Sequence, residues 1–171
     1  MILPKVRDPR LITVRRGGTL SDRDHHLLAL WAADCVEHVL HLFERERPND
    51  DRPRRAIDRV RAWTLGAATM TEARAAAGHA NAAARDLRAP ARDAAYGAGQ
   101  AAAVAHVAAH ELGAAAYAIR AVRAAAAEAD RAAVGRVECS WQRDRLPVEI
   151  RDLVVDDQRL RNELCWSVFE C

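Results

Sequence analysis

The sequence predicts an all-α fold, either a single helical bundle or a stack of helical hairpins, with an extended N-terminal arm. Three observations support this prediction. Apolar residues recur at helical spacing between residues 27 and 43, two helix-capping patterns precede apolar runs, and alanine dominates from about residue 56 to residue 133. The chain has 171 residues, of which 50% are hydrophobic but only 5% aromatic. Its core is therefore expected to depend on close helix approach, without help from a metal or disulfides.

The first twenty residues differ in composition from the rest. They contain Pro4, Pro9 and the pair Gly17-Gly18, with β-branched residues at positions 12–14. Such a pattern favours an extended arm with one short strand. We therefore divide the chain into an arm at 1–20 and an all-helical domain at 21–171.

Ser21 and Asp24 form a capping pattern that predicts a first helix running to about Arg47. One face of that helix is apolar and is expected to form the core. Its members are Leu27, Trp31, Cys35, Val39, Leu42 and Phe43.

Two further helices are predicted before residue 90. Pro53 suits a first helical position, and the helix it opens is expected to reach about Leu65. Thr69 and Glu72 form a second capping box, which opens a helix to about Arg88.

Pro90 then opens what we expect to be a long helical stretch to about Val134, with Gly97, Gly99 and Gly113 as candidate breaks and Gly135 as its end. Glycine in a helix interior costs about 1 kcal/mol relative to alanine, so the internal glycines need a reason. Close approach of a neighbouring helix supplies it at Gly97, Gly99 and Gly113. Two or three shorter helices are expected between residues 141 and 169.

His106 and His110 stand four residues apart in an alanine run, so on one continuous helix they would share a face. Zinc sites on helices use this spacing. However, the glutamate follows the second histidine, at Glu111, and not the first, so the zinc-protease order is absent. We therefore favour packing roles for both histidines.

Asp34, His38 and His41 form a second cluster, on the first helix. If the two helices packed together, four imidazoles would converge. The Glu-x-x-His pattern of di-iron bundles is missing, however, which makes a metal-dependent enzyme the weaker alternative. No cofactor is predicted.

Two kinds of binding site remain open. A protein partner would use charged and aromatic anchors, for which the candidates are Arg52, Arg54, Arg55, Trp141 and Trp166. A small-molecule ligand would occupy a pocket between the alanine-rich helices. Its candidate lining residues are His38, His41, Tyr96, His106, His110 and Tyr117.

The charge balance argues against other classes. A net charge of +2, from 26 basic and 24 acidic residues, is too small for a dedicated nucleic-acid binder. No apolar stretch indicates a signal peptide or a membrane span, and no glycine-rich loop or serine elbow is present. The four cysteines show no CxxC pair, so reduced thiols in a cytoplasmic protein are expected. Whether copies of the chain associate stays open.

Several stretches, in order along most of the chain, carry a resemblance to one family. They are LWAADC at 30–35, LFE at 42–44, DRPR at 51–54, AI at 56–57, RAW at 61–63, AHVAAH at 105–110, YA at 117–118 and DDQRLRN at 156–162. In these stretches the chain resembles a bacterial family of Imm-5-like immunity proteins. The resemblance implies a protein that protects its producer by binding a toxin stoichiometrically, and it implies no catalytic residues.

Overall fold

The structure, a computed structural model, describes residues 3–171 and confirms the all-α class. The α-helices in this part of the chain are α1 (Asp22–Val39), α2 (His41–Glu44), α3 (Arg52–Thr64), α4 (Met70–Ala83), α5 (Ala91–Ala103), α6 (Glu111–Ala125), α7 (Arg131–Asp144) and α8 (Val148–Arg161). Short 3-10 turns lie at Pro9–Leu11, Val14–Arg16, Ala108–His110, Glu128–Asp130 and Glu163–Cys165. Across residues 3–171, no helix combines the length and the apolar character needed to cross a bilayer.

Consecutive helices pack on one another from α3 to α7, so the chain builds the bundle as a series of hairpins. Helix α5 lies at the centre, in contact with α1, α3, α4 and α6. Trp31 and Phe43 are the largest side chains in an otherwise alanine-rich core. Small side chains let the helices approach closely, and this proximity replaces bulk as the source of dispersion contacts.

The predicted role of the internal glycines in close packing is confirmed. A Cβ added at Gly99 would overlap the Asn81 side chain and lie 3.1 Å from the Ala77 carbonyl oxygen, both on α4. One added at Gly113 would lie 2.5 Å from Oε1 of Gln100 on α5. These contacts explain why glycine is tolerated inside helices.

Both predicted caps are present. The Ser21 hydroxyl accepts a hydrogen bond from the Asp24 amide at 3.0 Å, and Thr69 and Glu72 form a reciprocal capping box. The first helix is interrupted at Leu40, so its last turns form the separate element α2. Helix α3 agrees with the predicted bounds to within a residue or two.

The predicted helical stretch from residue 90 to residue 134 is not continuous, and none of the three candidate glycines is where it breaks. The chain breaks between α5 and α6 and again between α6 and α7, and Gly135 lies inside α7. Tertiary contacts stabilise the first break: His25 Nε2 donates to the Val104 carbonyl oxygen at 2.7 Å, and Val107 is extended. A side chain from α1 thus satisfies a carbonyl that has left the helical ladder. Alanine-rich sequence carries no local signal for such a break.

The prediction that all four cysteines are reduced is also wrong. Cys139 and Cys171 form a disulfide, with Cα atoms 5.8 Å apart, while Cys35 and Cys165 are free and buried. The chain reverses after α8, where Trp166 and Ser167 both have positive φ angles. This turn returns the last residues to α7, a long-range contact that cysteine spacing alone does not reveal.

The N-terminal segment is more compact than an extended arm. It contains two 3-10 turns, and its strand-like pairing is a bridge between Thr13 and Leu20. Arg10 pairs with Asp8 at 2.6 Å and with Asp156 of α8 at 2.7 Å, which ties the segment to the body. The division at residue 20 stays a prediction.

Candidate functional site

An exposed stack of three side chains crosses the gap between α1 and the end of α7. His38 lies parallel to Trp141, with ring centroids 3.8 Å apart and planes within 6°. The Arg145 guanidinium covers the Trp141 ring at 3.8 Å from its centroid. Together with Asp34 and Glu37, these residues line a shallow depression of about 270 Å³. We call these five residues the His38 face.

A buried hydrogen-bond chain fixes the stack from below. His38 Nδ1 donates to Glu138 Oε2 at 2.9 Å, and Gln142 Nε2 donates to Glu138 Oε1 at 3.0 Å. Trp31 Nε1 in turn donates to the Gln142 carbonyl oxygen at 2.8 Å. Glu138 and Gln142 are buried, so the His38 ring is held on a rigid support.

The carboxylates of the His38 face are held by arginines of α3. Arg61 reaches Asp34 at 2.7 Å and Glu37 at 2.6 Å, and Arg54 reaches Glu37 at 2.6 Å. The hydrogen bond from Arg61 is the main cause that holds the pKa of Glu37 below its usual value. The face therefore presents fixed charges of both signs beside an aromatic surface.

The arginines predicted as partner contacts are engaged within the chain. Arg52 pairs with Asp50 at 2.5 Å, and Arg55 with Asp51 at 2.7 Å. Arg54 joins Glu44 at 2.8 Å in addition to Glu37. This network lies beside the His38 face, and its internal pairing favours structure and fixed charge over an open anion site.

Trp166 belongs to a different cluster. Its side chain is 43% exposed, and the Arg120 guanidinium lies 4.0 Å from its ring centroid. Tyr117 contacts Trp166 edge-on at 5.0 Å and Tyr96 at 5.6 Å. Tyr117 therefore lies between Tyr96 and Trp166, in a cluster separate from the histidines with which both tyrosines were predicted to line a pocket.

The remaining predicted histidines separate into two places. His41 is exposed on α2, where its Nδ1 donates to the His38 carbonyl oxygen at 3.2 Å. His106 and His110 lie in the break between α5 and α6, with ring centroids 5.3 Å apart. His110 Nδ1 donates to Gln100 Oε1 at 2.8 Å. His106 lines a cavity of about 260 Å³ beneath the N-terminal segment.

The weak metal candidates are not brought together. Asp34 pairs with Arg61, while His38 bonds to Glu138. Glu111, which follows His110 in the sequence, forms an ion pair with Arg161 at 2.9 Å in the core. Within residues 3–171, no group of three or more histidine, cysteine or acidic side chains is arranged to hold a metal ion.

Sequence reasoning missed Glu138 and Arg145, which complete the support and the outer layer of the stack. Glu138 lies 100 residues from His38 along the chain. The local sequence around either residue does not predict that pairing. An aromatic followed by arginine at i+4, as in Trp141 and Arg145, was a usable signal, because such residues are neighbours on a helix.

The fold is all-α, and the His38 face is a partly exposed cluster of aromatic and charged side chains on it. The model of the family described as Imm-5 like putative immunity protein matches residues 18–149. That match spans more than half of the chain, and the chain belongs to this family. The comparisons with curated proteins and with solved structures gave no match.

Proposed function

We propose that this protein is an immunity protein that neutralises a protein toxin by binding it stoichiometrically through the His38 face. Family membership supports the immunity role. The observation that carries the choice of surface is the ordered stack of His38, Trp141 and Arg145, which lies within the matched residues 18–149.

The composition of the stack suits a protein interface. Tryptophan and arginine are the residues most often found as binding hot spots. Arg145 and His38 are exposed and Trp141 is half-buried, so all three are available to a partner. Because the stack is already ordered by Glu138, less side-chain entropy is lost when a partner binds.

The charges around the stack supply specificity. Arg61 pairs with Asp34 and Glu37 on α1, and Arg145 covers the Trp141 ring, so the face carries fixed charges of both signs. A complementary arrangement on the toxin would orient the complex and exclude other proteins. Binding of this kind neutralises by covering an active site or a substrate path.

Such a role needs no catalytic turnover by this chain. The protein is therefore proposed to act as a non-enzymatic binder. A cytoplasmic site of action stays a prediction, and the Cys139–Cys171 bond is a feature more typical of oxidising compartments.

A growth-protection assay tests the proposal. Cells that express individual bacterial toxin domains are co-transformed with the wild-type gene, the Trp141→Ala variant or the Trp166→Ala variant. We expect the wild type and Trp166→Ala to protect against a cognate toxin and Trp141→Ala to fail. Trp166→Ala is the matched control, because it also truncates an arginine-covered tryptophan but outside the His38 face.

Circular dichroism would confirm that both variants are folded. Equal protection by Trp141→Ala and the wild type would refute the His38 face as the binding surface. Protection without a 1:1 complex of the two purified proteins would refute stoichiometric binding.

A further inference from the structure

We propose that the cavity beneath the N-terminal segment binds a small organic anion, a carboxylate or phosphate that carries an apolar group. The cavity has a volume of about 260 Å³. It lies between residues 7–16, the start of α1, the end of α3 and the break between α5 and α6. We call it the N-terminal cavity; its polar and aromatic lining includes Arg7, Arg16, His25, His26, Trp63 and His106.

The lining of this cavity is strongly cationic. Arg7, Arg15 and Arg16 all line it, and Asp22 is the one acidic residue among its lining residues. Asp22 is already paired with Arg15. Arg16 contacts only the His106 carbonyl oxygen, at 3.4 Å, and Arg7 makes no ion pair within residues 3–171. Two guanidinium groups therefore keep their positive charge without a carboxylate partner.

The charges of Arg7 and Arg16 act on the His106 ring. Burial first, and then Arg74, Arg16 and Arg7, lower the pKa of His106. The potential at the His106 ring is therefore positive. Guanidinium groups bind carboxylates and phosphates through charge-assisted hydrogen bonds.

His106 also offers an unused polar atom. Its Nδ1 is buried and has no hydrogen-bond partner. Native proteins satisfy nearly all buried polar groups, so this unpaired atom leaves His106, which lines the cavity, incompletely satisfied; a turn of the ring would bring Nδ1 to a bound ligand. His25 differs, because its Nε2 is occupied by the Val104 carbonyl oxygen.

The rest of the lining favours an apolar portion of the ligand. Trp63, Met70, Leu11 and Ile12 contribute to the wall. His25 and His26 hold the Trp63 ring by edge contacts at 5.0 Å and 4.7 Å between centroids. The volume lies just below the usual range of roughly 300–1,000 Å³ for small-molecule sites, which limits the ligand to a compact molecule.

The segment that closes the cavity is anchored rather than loose. Asp8 caps its first 3-10 turn, Leu11 is buried, and Arg10 reaches Asp156 on α8. Gly17 takes a left-handed conformation with φ of 83°, which turns the chain back toward α1. The arginines are therefore presented from an ordered backbone, as a binding site requires.

The test is an NMR titration of the full ¹⁵N-labelled chain with four probes: phenyl phosphate, benzoate, inorganic phosphate and phenol. We expect phenyl phosphate and benzoate to shift the Trp63 indole signal and the amides of His26 and His106. Phenyl phosphate should bind at least tenfold more tightly than inorganic phosphate, because only the former fills the apolar part. Phenol, which lacks the anionic group, should cause no comparable shift.

Variants connect the binding to the arginines. Arg7→Gln and Arg16→Gln should each weaken phenyl phosphate binding at least tenfold. Arg45→Gln is the matched control, because it removes an exposed arginine that does not line the cavity and should leave the affinity unchanged. All three side chains are exposed, so the fold should be retained.

Four outcomes would overturn the proposal. They are the absence of localised shifts with both organic anions, equal affinity in the Arg7 and Arg45 variants, equal binding of phenol, and equal binding of inorganic phosphate. The first three refute an anion site, and the fourth refutes an organic ligand. None of them bears on toxin binding, which the proposal assigns to the His38 face.

Discussion

His38 and Trp141 stack face to face, 3.8 Å apart, although they lie on helices separated by most of the chain. Their contact closes α1 against α7 and places Glu138 under the histidine. The same contact is thus both a structural joint and the centre of the proposed binding surface.

The contact of His38 with Trp141 and Glu138 should contribute to the free energy of unfolding. His38→Ala would remove the stack and leave the buried Glu138 carboxylate without its imidazole donor. We expect a loss of about 2 kcal/mol in the free energy of unfolding, measured by urea denaturation. His38→Gln keeps a donor and should lose clearly less. Equal losses for the two variants would show that the hydrogen bond contributes nothing.

The buried ion cluster around Arg161 should be more sensitive. Arg161 is 5% exposed and contacts Glu111 and Asp157, both nearly inaccessible, and it donates to the Ala109 carbonyl oxygen at 2.9 Å. Arg161→Met would leave two buried carboxylates without their cation, at an expected cost of about 3–5 kcal/mol. Arg159→Met is the control, because that arginine is exposed and should change stability by less than about 0.5 kcal/mol. Similar losses for the two variants would contradict this account.

Glycine substitutions should separate close packing from backbone effects. Gly99→Ala places a methyl group against Asn81 and the Ala77 carbonyl, so we expect destabilisation of about 1–3 kcal/mol. Gly78 lies in α4 with open space around it, and Gly78→Ala should stabilise by up to about 1 kcal/mol through helix propensity. Thermal unfolding of both variants gives the comparison. Stabilisation by Gly99→Ala would contradict the tight α4–α5 contact.

His110 should make stability depend on pH. Burial, with smaller contributions from His106, Arg161 and Arg7, lowers the pKa of His110 to about 4. An unfolded histidine has a pKa of about 6.5, so between these values the unfolded state binds more protons. This contribution to stability is complete above about pH 6.5 and is lost as the pH falls toward 4. The sign follows because the folded state disfavours the protonated imidazole, so protonation of His110 favours unfolding.

Comparison of the wild type with His110→Gln isolates that contribution. The decrease in unfolding free energy from pH 7 to pH 4 should be smaller in the variant by about 3 kcal/mol. Urea denaturation at several pH values measures it, and the other histidines remain as the common background. Identical pH profiles would show that His110 titrates normally in the folded protein.

The disulfide should be visible by alkylation. In unfolded, unreduced protein we expect two labelled cysteines, Cys35 and Cys165, and after reduction all four. The Cys171→Ser substitution removes the cross-link and should lower the free energy of unfolding by about 3 kcal/mol, because the unfolded chain gains conformational freedom. Four labelled cysteines without reduction would contradict the Cys139–Cys171 bond.

The sequence predicts local features of this fold well. Capping at Ser21 and Thr69 and the packing role of Gly99 follow from short-range chemistry, and the structure agrees. Of the predicted core face of the first helix, four residues are buried, while Leu27 and Leu42 are partly buried. The break after Val104 does not follow, because His25 stabilises it from 79 residues away. An alanine-rich sequence has the same local preference whether the helix continues or breaks at this point.

The candidate site, too, could be predicted only in part from the sequence. His38 and Trp141 stood out as residue types, but as members of separate hypotheses, one a ligand pocket and one a partner surface. Their stacking and the supporting Glu138 depend on how α7 returns to α1. The N-terminal cavity was missed because segments distant in sequence form its walls.

The central claim, that the His38 face binds a toxin, is tested most directly by titration calorimetry with the toxin identified in the protection assay. We expect 1:1 binding by the wild type, an affinity at least a hundredfold weaker in Trp141→Ala and in Arg145→Ala, and an unchanged affinity in Trp166→Ala. Unchanged affinity in both His38-face variants, measured on folded protein, would contradict the claim.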